Sequence, residues 1–221
     1  MPAPPSLEIL IATGNAGKAR EIVAILSDFP AADHPNIIRW RTLRDLPDEI
    51  PEPHEDRESF AENAALKARY YARATGLWTL ADDSGLEVDA LGGGPGVRSA
   101  RYADLPGDAP RDRRDAANNR KLIAALKDVS PEYRTARFRC ALCLADADRI
   151  LASAEGVIEG RIIDVARGSG GFGYDPHFFV PELGNTTAEL TPEHKNRISH
   201  RGRALQKMQA TLARLLDSST N

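Results

Sequence analysis

The sequence has 221 residues, of which 42% are hydrophobic and 28% are charged, the composition of an ordinary globular protein. Its formal net charge of −3 argues against binding to nucleic acid polymers or to anionic membranes, since both need a basic surface. No apolar run approaches the roughly 20 residues of a membrane span, and the N-terminal segment lacks the basic start of a signal peptide. We therefore expect a cytoplasmic protein built as one domain over residues 1–221, with flexible ends at 1–6 and 217–221.

The first element is an apolar segment at residues 7–12, which predicts a buried strand. It runs into TGNAGK at residues 13–18, and the helical spacing of Ile22 and Leu26 predicts a helix after this loop. A strand, a small polar loop and a helix together point backbone N–H groups at an anion. Lys18 lies in the first helical turn, where the helix dipole disfavours a cation unless an anion such as phosphate binds there. A plain strand-to-helix connection is the alternative.

An acidic, proline-rich stretch at residues 46–56 predicts an exposed loop. Ser59 and Glu62 then match a capping box, which predicts that a helix begins at this point. The pattern continues through residue 74, and Gly76 is expected to end the helix.

Residues 77–103 carry the densest set of functional signals. Apolar residues 77–81 predict a strand that leads to Asp82 and Asp83, and Ser84–Gly85 predicts a turn after them. Two carboxylates at this point suit a hard cation, which prefers oxygen ligands. Because successive side chains of an extended segment face opposite ways, we expect one carboxylate to face the ligand and the other to brace the turn. An ordinary Asx-type turn without chemistry is the alternative.

The middle of the chain predicts a helix at residues 112–127 and strands at 133–144 and 150–163. Helices and strands alternate early and strands cluster late, which predicts an α/β protein with a mixed sheet and an antiparallel portion. Cys140 and Cys143 lie in a strand-like run, where residues three apart face opposite ways. We predict two buried structural cysteines, because a zinc or redox site needs converging thiols.

The glycine-rich run at residues 168–176 allows a close approach of backbone to ligand, and an aromatic ring within it could stack on a base. Both Phe172 and Tyr174 could instead be core residues. Further on, Thr191 is the predicted N-cap of a short helix with proline at its first position. Lys195 and His200 would lie about 140° apart on one continuous helix, so contact with one ligand requires a break between residues 196 and 199.

Four motifs occur in the order typical of one enzyme family: TGNAGK at 13–18, DDSG with LGGGPGVRSARYA at 82–103, GGFGYDP at 170–176 and KNRISHRG at 195–202. From residue 10 to about 216 the chain resembles the inosine triphosphatase-like family of bacterial type, pyrophosphatases of non-standard purine nucleoside triphosphates. The resemblance implies an α/β fold of two lobes around a long twisted mixed β-sheet, with the nucleotide cleft between the lobes. It also implies a homodimer.

By this resemblance, Mg²⁺ supports the hydrolysis of ITP, dITP and XTP to a nucleoside monophosphate and pyrophosphate, which cleanses the nucleotide pool. Asp83 would be the catalytic residue and a metal ligand, and Glu55 the second metal ligand. Arg57 stands where the family has glycine, so Glu52 remains an alternative to Glu55.

The resemblance also implies which residues bind the nucleotide, a small-molecule partner. They are Thr13, Gly14, Asn15, Ala16, Gly17, Lys18, Ser84, Phe172, Gly173, Tyr174, Asp175, Lys195, His200 and Arg201. The last two would donate to the carbonyl at position six of the base, where adenine carries an amino donor; donor facing donor rejects adenine. A pyrophosphatase for other modified nucleotides and a non-catalytic nucleotide-binding module are the alternatives.

Overall fold

A computed structural model describes residues 6–27, 37–106 and 109–218 of the chain. The outer parts of the predicted flexible ends, residues 1–5 and 219–221, lie outside this description. The strands are β1 (Ser6–Ala12), β2 (Ile37–Thr42), β3 (Trp78–Val88), β4 (Thr135–Ala145), β5 (Ile150–Ile162), β6 (Phe178–Val180) and β7 (Asn185–Thr186). The α-helices are α1 (Ala16–Ser27), α2 (Phe60–Thr75), α3 (Arg111–Ala125), α4 (Pro192–Ile198) and α5 (His200–Ser218).

The strands form a seven-stranded sheet in the order β2-β1-β3-β4-β5-β6-β7. Strand β1 pairs in parallel with both β2 and β3, whereas β6 pairs antiparallel with both β5 and β7. The parallel pairs belong to the part of the chain where helices and strands alternate, because a parallel connection needs a crossover. The predicted α/β class with a mixed sheet is confirmed.

The chain divides into two compact units. The first unit comprises Met1–Asp83, Cys140–Gly156 and Arg201–Asn221, and the second comprises Ser84–Arg139 and Val157–His200. Strands β3, β4 and β5 contribute residues to both units. Each unit has a cluster of buried apolar residues of its own.

The core of the first unit forms around β1. Ile9 and Ile11 pack with apolar residues of α1, α5 and neighbouring strands, while the side chain of Leu10 points to the other face of the sheet and is also buried. Helix α2 contacts β1 as well. A strand buried on both faces needs a continuous apolar run, which is what residues 7–12 supply apart from Glu8.

The core of the second unit combines β3, α3 and the aromatic residues of β4 and β6. Leu86 and Val88 pack in one cluster with Leu122 of α3. Phe138 and Phe178 lie in the same cluster, with ring centroids 4.5 Å apart. This cluster supports the segment that carries the glycine-rich motif.

Local capping signals place the helices as predicted. Ser59 accepts a hydrogen bond from the Glu62 N–H at 3.2 Å, and Gly76 ends α2 in the left-handed conformation. Thr191 accepts from the His194 N–H at 3.2 Å at the start of α4. The predicted helix break is also present, because α4 ends at Ile198 and α5 begins at His200. No helix among the described residues is both long enough and apolar enough to cross a membrane.

The predicted turn at Ser84–Gly85 is wrong. Strand β3 continues from Trp78 through these residues to Val88. Asp, Ser and Gly favour turns locally, but pairing with neighbouring strands and the burial of Leu80, Leu86 and Val88 outweigh that preference. Asp82 and Asp83 are therefore consecutive residues in the middle of a strand.

Candidate functional site

The predicted site residues fall into two groups, one in each unit. The first unit contains the TGNAGK loop, Glu55, Asp83 and Arg201. The second unit contains Ser84, residues 172–175, Lys195 and His200. Each group has its own set of contacts.

Hydrogen bonds to side chains order the TGNAGK loop. The Asn15 N–H donates to Thr13 Oγ1 at 3.2 Å. Asn15 Oδ1 in turn accepts from the N–H groups of Gly17 at 3.0 Å and Lys18 at 3.3 Å. Asn15 thus caps the first turn of α1, and the loop lies at a helix N-terminus, where an anion is favoured.

A cavity of about 450 Å³ in the first unit is lined by Gly14, Glu52, Tyr71 and residues within 43–51. The Glu52 carboxylate lies so close to Gly14 that a Cβ atom there would overlap it and displace the Glu52 side chain. The buried Tyr71 hydroxyl has no hydrogen-bond partner in the described part of the chain. Burial, together with the smaller effects of the negative charges of Glu52 and Glu55, raises the pKa of Tyr71 to about 12.

Asp82 is the centre of a buried ion network. Lys18 Nζ lies 2.5 Å from Asp82 Oδ1, and Arg201 Nε lies 3.0 Å from Asp82 Oδ2. The Cys140 thiol donates to the same Oδ2 at 3.0 Å, and Arg201 also pairs with Glu21. Burial alone would raise the pKa of Asp82, but the charges of Arg201 and Lys18 outweigh burial and hold that pKa well below its ordinary value. Asp82 is therefore a fixed anion that orders Lys18.

Asp83 faces a different set of partners, as the alternation of a strand predicts. The pKa of its carboxyl group is raised to about 6, mainly by burial, although the charges of Lys18 and Lys67 act in the opposite direction. The nearby carboxylates of Glu55 and Asp82 contribute to this raised pKa. With 6% of its surface exposed, Asp83 is a carboxylate that can exchange a proton near neutral pH.

Lys67 forms an ion pair with Glu55 beside Asp83. Burial lowers the pKa of Lys67, and the charges of Glu55 and Asp83 more than offset that effect, so its pKa is raised overall. Sequence reasoning did not identify Lys67. The only signal was a lysine at the position of the apolar stripe formed by Ala64, Ala68 and Tyr71 on α2.

The oxygen donors of this group fit a hard divalent cation in their chemistry. Asp83 and Glu55 are close enough that the charge of Glu55 raises the pKa of Asp83, whereas Glu52 lines the cavity beside Gly14 and Tyr71. Glu55 therefore stays the predicted second metal ligand, with Glu52 as its alternative. Within residues 6–27, 37–106 and 109–218, no group of three or more His, Cys, Asp or Glu side chains is arranged to hold a metal ion.

In the second unit, contacts with the buried carboxylate of Asp175 order the glycine-rich loop. Its Oδ2 atom accepts from the Phe172 N–H at 2.8 Å and lies 2.5 Å from Lys195 Nζ. Its Oδ1 atom accepts from the Thr187 hydroxyl at 2.7 Å. The side chain of Asp175 is buried and saturated by these internal contacts, so it supports Phe172 and Lys195.

The two aromatic residues of this loop have different environments. Tyr174 is part of the apolar cluster of the second unit, and its hydroxyl donates to the Ser99 carbonyl at 2.8 Å. Phe172 is only partly buried, with Lys195 Nζ 4.9 Å and Arg111 Cζ 5.5 Å from its ring centroid. Of the two rings, Phe172 is therefore the one that can stack on a ligand.

His200 is buried, and its ring stacks on Phe138 with centroids 4.9 Å apart and an angle of 17° between the planes. Ser84 is partly buried on β3. Arg201 is 1% exposed, and its guanidinium contacts Asp82 and Glu21 in the first unit. Its role in base reading stays a prediction.

Known proteins are similar to this chain in sequence and in fold over nearly its full length. Residues 9–211 match the Ham1 family. A dITP/XTP pyrophosphatase of Geobacillus kaustophilus is 49% identical over 201 residues, which cover 91% of this chain and 92% of the relative. A dITP/XTP pyrophosphatase of Thioalkalivibrio sulfidiphilus is 51% identical over 90% of this chain and 95% of its own length.

Solved structures agree with these matches. A HAM1 protein from Coxiella burnetii superposes with a TM-score of 0.79 at 38% identity and covers 94% of this chain and 99% of its own. The Ham1 protein of Staphylococcus aureus superposes with a TM-score of 0.76 at 37% identity, covering 93% and 98%. The family resemblance inferred from the four motifs is confirmed, and the chain belongs to the Ham1 family.

Proposed function

We propose that this protein hydrolyses non-standard purine nucleoside triphosphates, namely dITP, ITP and XTP, to the nucleoside monophosphate and pyrophosphate, and so cleanses the nucleotide pool. The observation that carries the proposal is the environment of Asp83, a buried carboxylate beside Lys18, Lys67 and Glu55. The two dITP/XTP pyrophosphatases, which are 49% and 51% identical to this chain over 91% and 90% of its length, support the choice of substrate.

We assign the phosphates to the group of residues in the first unit. A triphosphate carries about four negative charges that repel an attacking nucleophile, so catalysis needs fixed cations. The N-terminus of α1 offers backbone N–H groups at the TGNAGK loop, and Asp82 holds the ammonium group of Lys18 in place beside them. We also assign Lys195 of the second unit, a predicted nucleotide-binding residue, to the phosphates as a further cation.

Asp83 and Glu55 would hold a magnesium ion, and Lys67 would release Glu55 to do so. When bound, Mg²⁺ would neutralise phosphate charge and polarise the phosphorus centre. Asp83 orients the attacking water and accepts its proton. The charges of Lys18 and Lys67 favour the ionised form of Asp83, which is the form that can take a proton.

We assign the base to the group of residues in the second unit. Phe172 supplies a partly exposed ring for stacking, and Lys195 lies beside it. His200 is a donor for the carbonyl at position six of the base. Stacking on Phe138 holds the His200 ring in its orientation. Arg201, which belongs to the first unit, is the second predicted donor, and it would have to donate to the base while it contacts Asp82 and Glu21.

Hydrolysis of a panel of nucleoside triphosphates with Mg²⁺ tests the proposal, with pyrophosphate scored separately from orthophosphate. We expect pyrophosphate release from dITP, ITP and XTP to exceed that from dATP by at least about 100-fold, because a misplaced hydrogen-bond donor is strongly rejected. A preference for modified pyrimidine nucleotides would favour the first alternative. Tight binding without turnover would favour a non-catalytic module.

The proposal also includes a homodimer, as the family resemblance implies, and a cytoplasmic location, as expected from the sequence. Sedimentation equilibrium at micromolar concentration checks the oligomeric state. A mass of twice 24.0 kDa is expected, and a mass of 24.0 kDa would contradict it.

A further inference from the structure

Helix α3 presents one row of side chains to the glycine-rich loop. Arg111, Asp115 and Asn119 are four residues apart, so they lie on one face of the helix. Asp115 Oδ2 accepts from the Gly173 N–H at 3.0 Å, and Asn119 Nδ2 donates to the Gly173 carbonyl at 2.9 Å. None of the three belongs to the four sequence motifs.

These contacts fix both peptide groups around Gly173. The N–H belongs to the peptide that joins Phe172 to Gly173, and the carbonyl belongs to the peptide that joins Gly173 to Tyr174. Gly173 has φ +62°, a left-handed conformation that lets the chain turn sharply after Phe172. Tyr174 is anchored in the apolar cluster, so the α3 contacts act on the side of the loop that carries Phe172.

The Phe172 ring is held from two directions. Asp175 accepts the Phe172 N–H, and the α3 side chains hold the peptide that follows. Asp115 also lies 3.4 Å from Arg111 Nε, and Arg111 in turn lies over the ring. Removal of Asp115 therefore releases the Gly173 N–H and Arg111 together, whereas removal of Asn119 releases only the carbonyl side.

We propose that Asp115 and Asn119 are positioning residues that set the orientation of the Phe172 ring for stacking on the purine base, and thereby contribute to base affinity. The proposal rests on the proposed function, in which Phe172 meets the base. Neither side chain takes part in the hydrolysis itself. Their loss should therefore weaken nucleotide binding and leave the turnover of bound substrate largely unchanged.

The variant Asp115→Ala tests this proposal against the matched control Asp112→Ala, which removes the same charge from an exposed position of the same helix. Calorimetric titration with inosine monophosphate measures the base contribution directly. We expect Kd to rise about tenfold for Asp115→Ala and less than twofold for Asp112→Ala. In steady-state assays with ITP, KM should rise by a similar factor while kcat stays within about twofold.

Two further variants keep the test decisive if Asp115→Ala folds poorly. Asn119→Ala, on the other side of Gly173, should also raise Kd severalfold, and Asp115→Asn, which keeps an acceptor oxygen, should recover part of the affinity. Equal Kd values for wild type, Asp115→Asn and Asn119→Ala would overturn the proposal. If wild type binds inosine monophosphate but releases no pyrophosphate, the proposed function fails, and the Kd comparison still decides this inference.

Discussion

Two adjacent carboxylates of β3 have opposite electrostatic environments. Asp82 is paired with Lys18 and Arg201, and its pKa is held well below its ordinary value. Asp83 has a pKa raised to about 6, because the neighbouring lysines offset the effect of burial less completely than the cations beside Asp82 do. The alternation of side chains along a strand is enough to separate the two environments. Of these two carboxylates, Asp83 is therefore the one that can exchange a proton near neutral pH.

Asp83→Asn should stabilise the metal-free protein at alkaline pH. The raised folded-state pKa means that the favourable contribution of protonated Asp83 is complete below 3.8 and is lost as the pH rises through about 6. At pH 8 the buried charge is a cost that asparagine lacks, so we expect a gain of about 1–3 kcal/mol in the free energy of unfolding.

Urea unfolding with a chelator at pH 5 and pH 8 measures this effect. The gain should be clearly smaller at pH 5, and the exposed control Asp112→Asn should show neither the gain nor its pH dependence. A loss of stability at pH 8 in Asp83→Asn would contradict the raised pKa.

Arg201→Ala should destabilise the protein strongly, because it leaves the carboxylates of Asp82 and Glu21 without their shared cation. Breaking a buried ion pair by removing one partner costs about 3–5 kcal/mol. Arg20→Ala, at an exposed position of α1, is the control and should change the free energy of unfolding by less than about 0.5 kcal/mol. Chemical denaturation of both variants at pH 7 checks this, and similar midpoints would show that the Asp82 network contributes little.

At the scale of elements, the sequence predicted best where local chemistry decides the outcome. Helix α2 begins after Ser59 and ends at Gly76, as its capping residues predicted, and Thr191 precedes α4 in the same way. The turn expected at Ser84–Gly85 failed because long-range strand pairing overrode a local preference. Local signals are therefore reliable at helix ends and weak within a sheet.

Ser59→Ala should lower the free energy of unfolding by about 1 kcal/mol, because the N-cap hydrogen bond of α2 is lost. Ser130 provides a matched control, since it precedes a short 3-10 turn without a side-chain capping hydrogen bond. Thermal unfolding should therefore show a lower Tm for Ser59→Ala and almost no change for Ser130→Ala. Equal Tm values in both variants would rule out a stabilising cap at Ser59.

Two glycines of the loop at residues 170–176 should differ in their tolerance of alanine. Both have positive φ, +70° at Gly171 and +62° at Gly173. A Cβ at Gly171 would overlap the Asp175 carboxylate and lie 3.0 Å from Lys195 Nζ, whereas nothing lies within 4 Å of a Cβ at Gly173. Gly173→Ala should cost only backbone strain, about 1–2 kcal/mol.

Gly171→Ala adds a collision with the Asp175–Lys195 pair to the same strain. We expect it to lose more stability than Gly173→Ala, and to raise KM for ITP further because Asp175 also holds the Phe172 N–H. Urea unfolding and steady-state kinetics of the two variants provide the comparison. If Gly171→Ala were the milder change in both assays, Asp175 would not be the support of this loop.

At the scale of the whole molecule, composition and periodicity predicted the α/β class and the mixed sheet, but not the strand order. That order depends on pairing between segments far apart in the chain, such as β1 with β3. The same limit applies to the candidate site. Motifs identified the TGNAGK and GGFGYDP loops. Lys67, Asp115 and Asn119 lie on ordinary amphipathic helices, and their tertiary contacts, which the sequence does not show, are what connect them to the site.

Each unit contributes a different part of the proposed chemistry. The first unit contains Asp83, Glu55 and Lys18, which we assign to the phosphates, and the second contains Phe172 and His200, which we assign to the base. Central to this chemistry, we propose, Asp83 accepts the proton of the attacking water when the α–β phosphoanhydride is cleaved.

Pyrophosphate release from dITP with Mg²⁺ by wild type, Asp83→Asn and the control Asp112→Asn tests that claim most directly. We predict that Asp83→Asn remains folded and loses at least about 100-fold in kcat, the usual contribution of a positioned acid–base group, while Asp112→Asn matches wild type. Turnover by Asp83→Asn within a few-fold of wild type would contradict the account, as would orthophosphate as the main product of the wild-type protein.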